Sequence, residues 1–201
     1  MTYLLPVMQV PPRGVWGAGG PAAWAPTQAD ADDTPDDLIL RYLGAFGPAT
    51  LADIRTWSGL SGLRDSIERL RPQLRMFRDE RGKELFDVPD APLPDRDTPA
   101  PPRFLPEYDN VLLSHADRTR IMAPDRRVPL LPGNGGVSGT VLIDGFFGAT
   151  WKITRCDNSA ELHVMPFERL SKEDTAALAA EGSRLLAFTS ADAEGHNVTF
   201  G

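Results

Sequence analysis

The side chains that could do chemistry are few and scattered. Ser114 and His115 are neighbours of the types that form a nucleophile and its base. Residues 111–114 read as a short strand, however, where adjacent side chains point to opposite faces. The two are therefore not expected to meet. His163 falls on the polar side of another strand and His196 in the tail, so the three histidines lack metal-ligand spacing. Cys156 is the only cysteine, which excludes an internal disulfide and a cysteine-based zinc cluster. Asp30, Asp32, Asp33, Asp36 and Asp37 lack the spacing and closing glutamate of a calcium loop. They read as a solvated loop entering a helix, with Thr34 as N-cap and Pro35 in the first turn. Gly133-Asn134-Gly135-Gly136 follows no strand-to-helix pattern and reads as a loop, not a phosphate cradle. No cofactor and no metal is expected.

Positive charge is the other chemistry on offer. All but three of the 21 basic residues are arginine (the lysines are Lys83, Lys152 and Lys172). Arginine suits bidentate phosphate and base contacts, although the codon bias of a GC-rich genome is the plainer explanation. With 28 acidic residues and a net charge of −7, the whole chain is no strong non-specific binder of nucleic acid. Its 201 residues, 41% of them hydrophobic, fit one ordinary domain or two small ones with packed cores. No apolar run approaches the ~18 residues of a membrane span. The first ten residues have no basic start and carry Pro6, so they do not read as a signal peptide. A cytoplasmic protein is the expectation.

The elements that would position these groups follow from periodicity. Residues 1–28 suggest a strand pair around a turn, with residues 3–10 as one arm and Val15-Trp16 resuming it. Trp16 and Trp24 call for a covering surface. Leu38, Ile39, Tyr42, Leu43 and Phe46 mark a first helix, stopped by Gly47-Pro48. Thr50 caps a second helix, with Leu51, Ile54 and Trp57 inward and Gly59 at its end. Leu60, Leu63, Ile67, Leu70 and Leu74 form the stripe of a third. Residues 74–77 and 84–88 read as two strands around Asp79-Glu80-Arg81-Gly82. Three short helices and a charged hairpin make the winged-helix pattern. Seven prolines between Pro89 and Pro106 suggest an extended connector.

Beyond the connector lies a β-rich region. Asp144-Gly145 marks a hairpin between strands 140–143 and 147–154, and another strand covers 161–165. A terminal helix spans 171–188, with Ser171 as N-cap and Asp174 in the capping-box place. Residues 190–201 read as frayed. The organisation expected is therefore α+β: a hairpin at 1–28, a winged helix at 35–88, a linker at 89–106, a β-rich domain with a terminal helix at 107–190, and a tail at 191–201.

On the third helix, at about 100° per residue, Ser61, Asp65, Glu68 and Arg69 face most directly outward, with Arg64 and Arg71 on the flank. The exposed face is acidic at its centre. The hairpin tip sets Arg78, Arg81 and Lys83 against Asp79, Glu80 and Glu84. The best-placed DNA contacts are Arg13, Arg64, Arg71, Arg81 and Lys83. A second polar cluster, Glu107, Tyr108, Asp109, Asn110 and His115, reads as a lock between domains, with a ligand site as the alternative.

Longer strings are more specific. Gln9-Val-Pro-Pro-Arg-Gly-Val-Trp-Gly17, Glu84-Leu-Phe-Asp-Val-Pro-Asp-Ala-Pro92, Phe104-Leu-Pro-Glu-Tyr-Asp-Asn-Val-Leu-Leu-Ser-His-Ala-Asp-Arg118 and Gly139-Thr-Val-Leu-Ile-Asp-Gly145 occur in this order. In these the chain resembles the bacterial winged-helix DNA-binding-domain family, which includes DNA glycosylases that excise alkylated purines and unhook interstrand crosslinks. The resemblance implies tandem winged helices followed by a small β-barrel-like domain. It also implies that this chain matches the C-terminal half of its relatives, so that a missing N-terminal half or a protein partner would complete the hairpin at 1–28. The family's glycosylases carry a Gln-x-Gln or Gln-x-Asp motif in their N-terminal part. Gln28-Ala29-Asp30 matches the second in letters, but it lies in the acidic loop and is treated as coincidence, so no catalytic residue is carried over. The expectation is a DNA-repair-associated protein that binds double-stranded DNA weakly and is catalytically silent by itself. A non-catalytic interaction scaffold and a transcriptional regulator are the alternatives.

Overall fold

The computed structural model describes residues 7–11, 13–15, 19–26, 34–126 and 138–201. The chain divides into two units, Met1–Pro35 and Asp36–Gly201. In the first, β1 (Val7–Val10) pairs antiparallel with β2 (Ala23–Pro26), Val7 opposite Pro26 and Gln9 opposite Trp24. The second arm is thus 23–26 and not Val15-Trp16. Trp24 brings strong strand propensity to that arm, and Pro26 stands at its end, where a missing N–H is tolerated. Trp16, the Gln28-Ala29-Asp30 match and the Gly133–136 loop fall outside the described residues.

The second unit opens with three helices, α1 (Asp36–Phe46), α2 (Leu51–Ser58) and α3 (Leu63–Leu70). Thr50 caps α2 in a capping box with Asp53 where glutamate is usual, and Gly59 ends the helix in the left-handed conformation at φ 70°. Pro72 turns the end of α3 into a short 3-10 segment, Arg71–Gln73. Then β3 (Arg75–Arg78) and β4 (Glu84–Asp87) pair as an antiparallel hairpin. Ala49 adds a bridge to Phe86 on the other side of β4, which leaves β3 as the open edge. The core is Ile39, Tyr42 and Leu43 of α1 against Ile54, Leu63, Ile67, Leu70 and Phe86. At Gly47 a Cβ would lie 2.2 Å from the Asp87 carboxylate, so only glycine lets the end of α1 meet β4.

The remainder builds a five-stranded sheet in the order β5 (Arg103–Leu105), β6 (Gly139–Ile143), β7 (Phe146–Cys156), β8 (Ser159–Pro166) and β9 (Gly195–Phe200). Neighbours are antiparallel except β8 and β9, which run parallel. The crossover between those two is α5 (Lys172–Thr189), the connection a parallel pair requires. Leu178 and Leu186 of α5 pack on Val141, Ala149, Leu162 and Val164. The pairing order ends at β5 and β9, so among the described residues it shows an open sheet. No helix of the described residues is long and apolar enough to cross a membrane.

Three further expectations differ from this structure in their secondary structure. Residues 111–114 are not a strand; α4 (Asn110–Leu113) is a helical turn because the Asp109 side chain accepts from Val111 N at 2.8 Å. That local bond outweighs the strand propensity of a single valine. The connector contributes a strand, since Arg103–Leu105 pairs with β6. The tail is ordered as β9, with Val198 and Phe200 packed against the sheet core. Alternation over only three such positions was too short a signal.

Candidate nucleic-acid interface

α3, the segment after it and the β3–β4 hairpin carry six of the 18 arginines. Arg69 turns toward α1, its guanidinium donating to Asp36 at 2.8 and 3.3 Å and to Ser66 at 3.0 Å. Arg69 thereby holds the Asp36 carboxyl below its ordinary range. Arg71 donates to both oxygens of Glu84 at 3.0 and 3.1 Å and to both of Glu68 at 3.0 Å. It also lies over the Phe86 ring, 5.6 Å from its centroid. Its donations depress both glutamates. Arg71 is therefore a brace between α3 and β4, with its charge compensated on two sides.

The other cations are less committed. Arg64 is exposed on the first turn of α3 and Lys83 on the hairpin, and neither has an ion-pair partner among the described residues. Arg81 reaches Asp117 at 3.8 Å with both side chains well exposed, a contact of small value. Asp79 is the hinge of the tip, since its carboxylate accepts from Arg81 N and Lys83 N at 2.9 and 2.7 Å. Arg64, Arg71 and Lys83 come together around one cleft of about 390 Å³ at the start of α2. The first amides of that helix lack intrahelical acceptors and carry the positive end of its dipole. Arg13 belongs to the other unit, exposed in the turn beside Gly14. Sequence reading missed Arg75, which is exposed on the edge strand β3 with its guanidinium 5.0 Å from the Phe77 ring centroid.

The second cluster is divided by the structure. Tyr108 is 56% exposed at φ 60°. Asp109 caps α4 and Asn110 begins it, while Glu107 lines a cleft beside Trp151 and Lys152. Only His115 is buried, and it does meet Ser114: Ser114 Oγ lies 2.7 Å from His115 Nδ1. The two follow a helical turn, with Ser114 itself helical at φ −71°, ψ −20°. Their side chains therefore diverge by about 100° and not by the 180° of a strand. His115 Nε2 lies 3.1 Å from Phe46 O, which can only accept. That fixes the proton on Nε2 and makes Nδ1 the acceptor for the Ser114 hydroxyl. Burial first, then the nearby Arg120 charge, keeps the imidazole below its ordinary pKa and so neutral. With both ring nitrogens engaged and serine buried, the pair is structural, not a nucleophile and base.

Two further residues complete this junction. The Tyr42 hydroxyl donates to Ser114 O at 2.6 Å. Asp53 accepts from Thr50 N and Oγ1 at 2.8 and 2.7 Å and from Ala116 N at 2.9 Å. Burial alone would raise its pKa, but those donors and the facing His115 bring it net below the usual carboxylate range. The only sequence signal for Asp53 was its place in the capping box, which does not foretell a partner 63 residues away. Among the described residues no group of three or more His, Cys, Asp or Glu side chains is placed to hold a metal.

Helices and hairpin joined in this way to a five-stranded sheet define a mixed α+β protein related to DNA-repair glycosylases. The solved structure of Streptomyces sahachiroi DNA glycosylase AlkZ resembles it with a TM-score of 0.64 at 27% identity, over 83% of this chain and 45% of that one. Residues 1–188 match the family profile described as DNA glycosylase AlkZ-like, and the chain belongs to that family. A curated relative, an interstrand DNA cross-link repair glycosylase of Streptomyces sahachiroi, is 27% identical over 151 residues, 69% of this chain and 38% of that protein. The chain thus spans less than half the length of either relative.

Proposed function

We propose that this chain is a DNA-binding part of the DNA-repair machinery, with residues 36–88 acting as a winged helix and the five-stranded sheet as the counterpart of the barrel-like domain. The observation that carries the reading is the cleft at the start of α2, where Arg64 and Lys83, which have no ion-pair partner among the described residues, stand beside the capped first turn of that helix. Phosphates of a duplex match that arrangement. Arg81 contributes at the rim, and Arg71 supports the cleft without contacting DNA.

With so few uncommitted cations, binding to a plain duplex is weak and its salt slope shallow, since each neutralised phosphate contributes a slope of about −0.9. Fluorescence anisotropy of a labelled duplex at low and moderate salt tests this. The double change Arg64→Ala and Lys83→Ala reduces the slope by about two phosphates and leaves the melting temperature unchanged. Salt-independent binding, or no binding at low salt, refutes the reading.

A further inference from the structure

A second cleft lies beside the five-stranded sheet, at the β6–β7 turn and the segment before α5. It has a volume of about 270 Å³ and is walled by Ile143, Phe146, Phe147 and Phe167, with Arg126 and Arg169 at its edge. This is close to the ~300 Å³ lower limit of small-molecule sites, so it suits one planar ring system. The walls are held by backbone. Phe147 N donates to Ile121 O at 2.7 Å and Phe167 N to Gly148 O at 3.0 Å. Phe147 and Phe167 meet edge to face with centroids 4.8 Å apart. Phe146, which directly follows the Asp144-Gly145 turn, remains 53% exposed.

The charges at this cleft are arranged asymmetrically. Its two acids have partners: Glu168 accepts from Arg126 at 2.7 Å, and Asp174 is bound into the Ser171 capping box at 2.6 and 2.9 Å. Arg126 is further fixed over the Phe167 ring, 4.8 Å from its centroid. Arg169 is exposed and has no ion-pair partner among the described residues. What the cleft offers a ligand is therefore aromatic surface and the Arg169 guanidinium, which no described carboxylate pairs; Asp174 keeps its charge and is held by Ser171 at the first turn of α5. An aromatic platform beside a cation is how unpaired nucleotides are held, the base by stacking and the phosphate by charge. An apolar peptide would leave Arg169 unmatched.

We propose that this cleft takes a single unpaired nucleotide, its base against Phe146 and Phe167 and its phosphate at Arg169. The inference rests on the DNA-binding reading above and adds the class of DNA: duplex with a base out of its stack. The test measures anisotropy with a blunt duplex and with the same duplex carrying a one-nucleotide bulge. The chain prefers the bulged duplex by at least about fivefold. Phe146→Ala and Arg169→Ala each abolish the preference and leave the blunt-duplex affinity unchanged, whereas Phe146→Trp retains it. Both positions are exposed, and melting curves check that the variants are folded. Blunt-duplex binding with no bulge preference, or a preference that survives Phe146→Ala, overturns this proposal alone. A bulge preference that depends on Phe146, with binding indifferent to Arg64 and Lys83, supports it and overturns the cleft at α2. No binding to either duplex overturns both.

Discussion

Replacing Asp53 with asparagine keeps the shape of a side chain that joins α2 to the segment after α4, and removes its charge. The carboxylate accepts from Thr50 N and Oγ1 on one oxygen and from Ala116 N on the other. Asparagine has one acceptor oxygen, so either Thr50 N–H or Ala116 N–H must face an NH₂ group. A hydrogen bond to a charged group contributes roughly 1.5–3 kcal/mol, and a stranded buried donor costs about 1–3 kcal/mol. Ala116 itself is exposed, so water relieves part of the second effect, and about 2–3 kcal/mol is the expected total. For a chain of this size that lowers the melting temperature by roughly 5–10 °C. The pH dependence has a definite sign. Asp53 is depressed in the folded state, so its contribution is present above the unfolded value of about 3.9 and is lost as pH falls through the folded one. The gap between wild type and Asp53→Asn therefore narrows below about pH 4. Thermal melts by circular dichroism from pH 7 to pH 3 measure this. Equal melting temperatures at pH 7, or a gap that stays constant in acid, refute the role given to Asp53.

Tyr42→Phe strands the Ser114 carbonyl and lowers the melting temperature by about 2–4 °C, for a loss of about 1 kcal/mol; Tyr108→Ala, at an exposed position, changes it by less than about 2 °C. The reverse order would restore Tyr108 as the lock. Asp87 is buried with one carboxylate oxygen unpartnered, and burial raises its pKa; its ionised form therefore weakens the fold as pH rises through the folded value. Asp87→Asn melts at or above wild type at pH 7, and a loss of several degrees would show that the charge has a partner. The chain alone releases no base from duplex containing N7-alkylguanine; strand breaks after alkali above a no-protein control, abolished by Asp30→Asn, would make Gln28-Ala29-Asp30 a working motif.

The order of elements was legible because each has a strong local signature. Gly47-Pro48, the Thr50 cap and Gly59 bound the helices, and Asp144-Gly145 forces the β6–β7 turn with φ of 50° and 77°. The misreadings share a physical origin. A strand and a helical turn of four residues differ little in composition, and at 110–113 the decision rests on a single Asp109 side chain. β9 exists because α5 returns the chain to the edge of β8, which no property of residues 195–200 alone requires. Tyr42 carries a core-facing position in the helical stripe, and nothing in its period announces that its hydroxyl would reach Ser114.

Charge was the least legible quantity, because a sequence gives the number of charges and not their pairing. The hairpin and α3 look balanced by count. In the structure Glu68 and Glu84 both close on Arg71, and Asp36 closes on Arg69. One guanidinium against two carboxylates leaves the Arg71 trio with a net charge of −1, which partly offsets Arg64 and Lys83. The field at the cleft is then the sum of that trio, the helix terminus with its Asp53 carboxylate, and these two cations, screened over a Debye length of about 8–10 Å. Asp65, which has no ion pair among the described residues, opposes them from the next position along α3. On the proposed reading this balance predicts weak contact with a duplex, and removing the Asp65 charge should strengthen it in the same anisotropy titration.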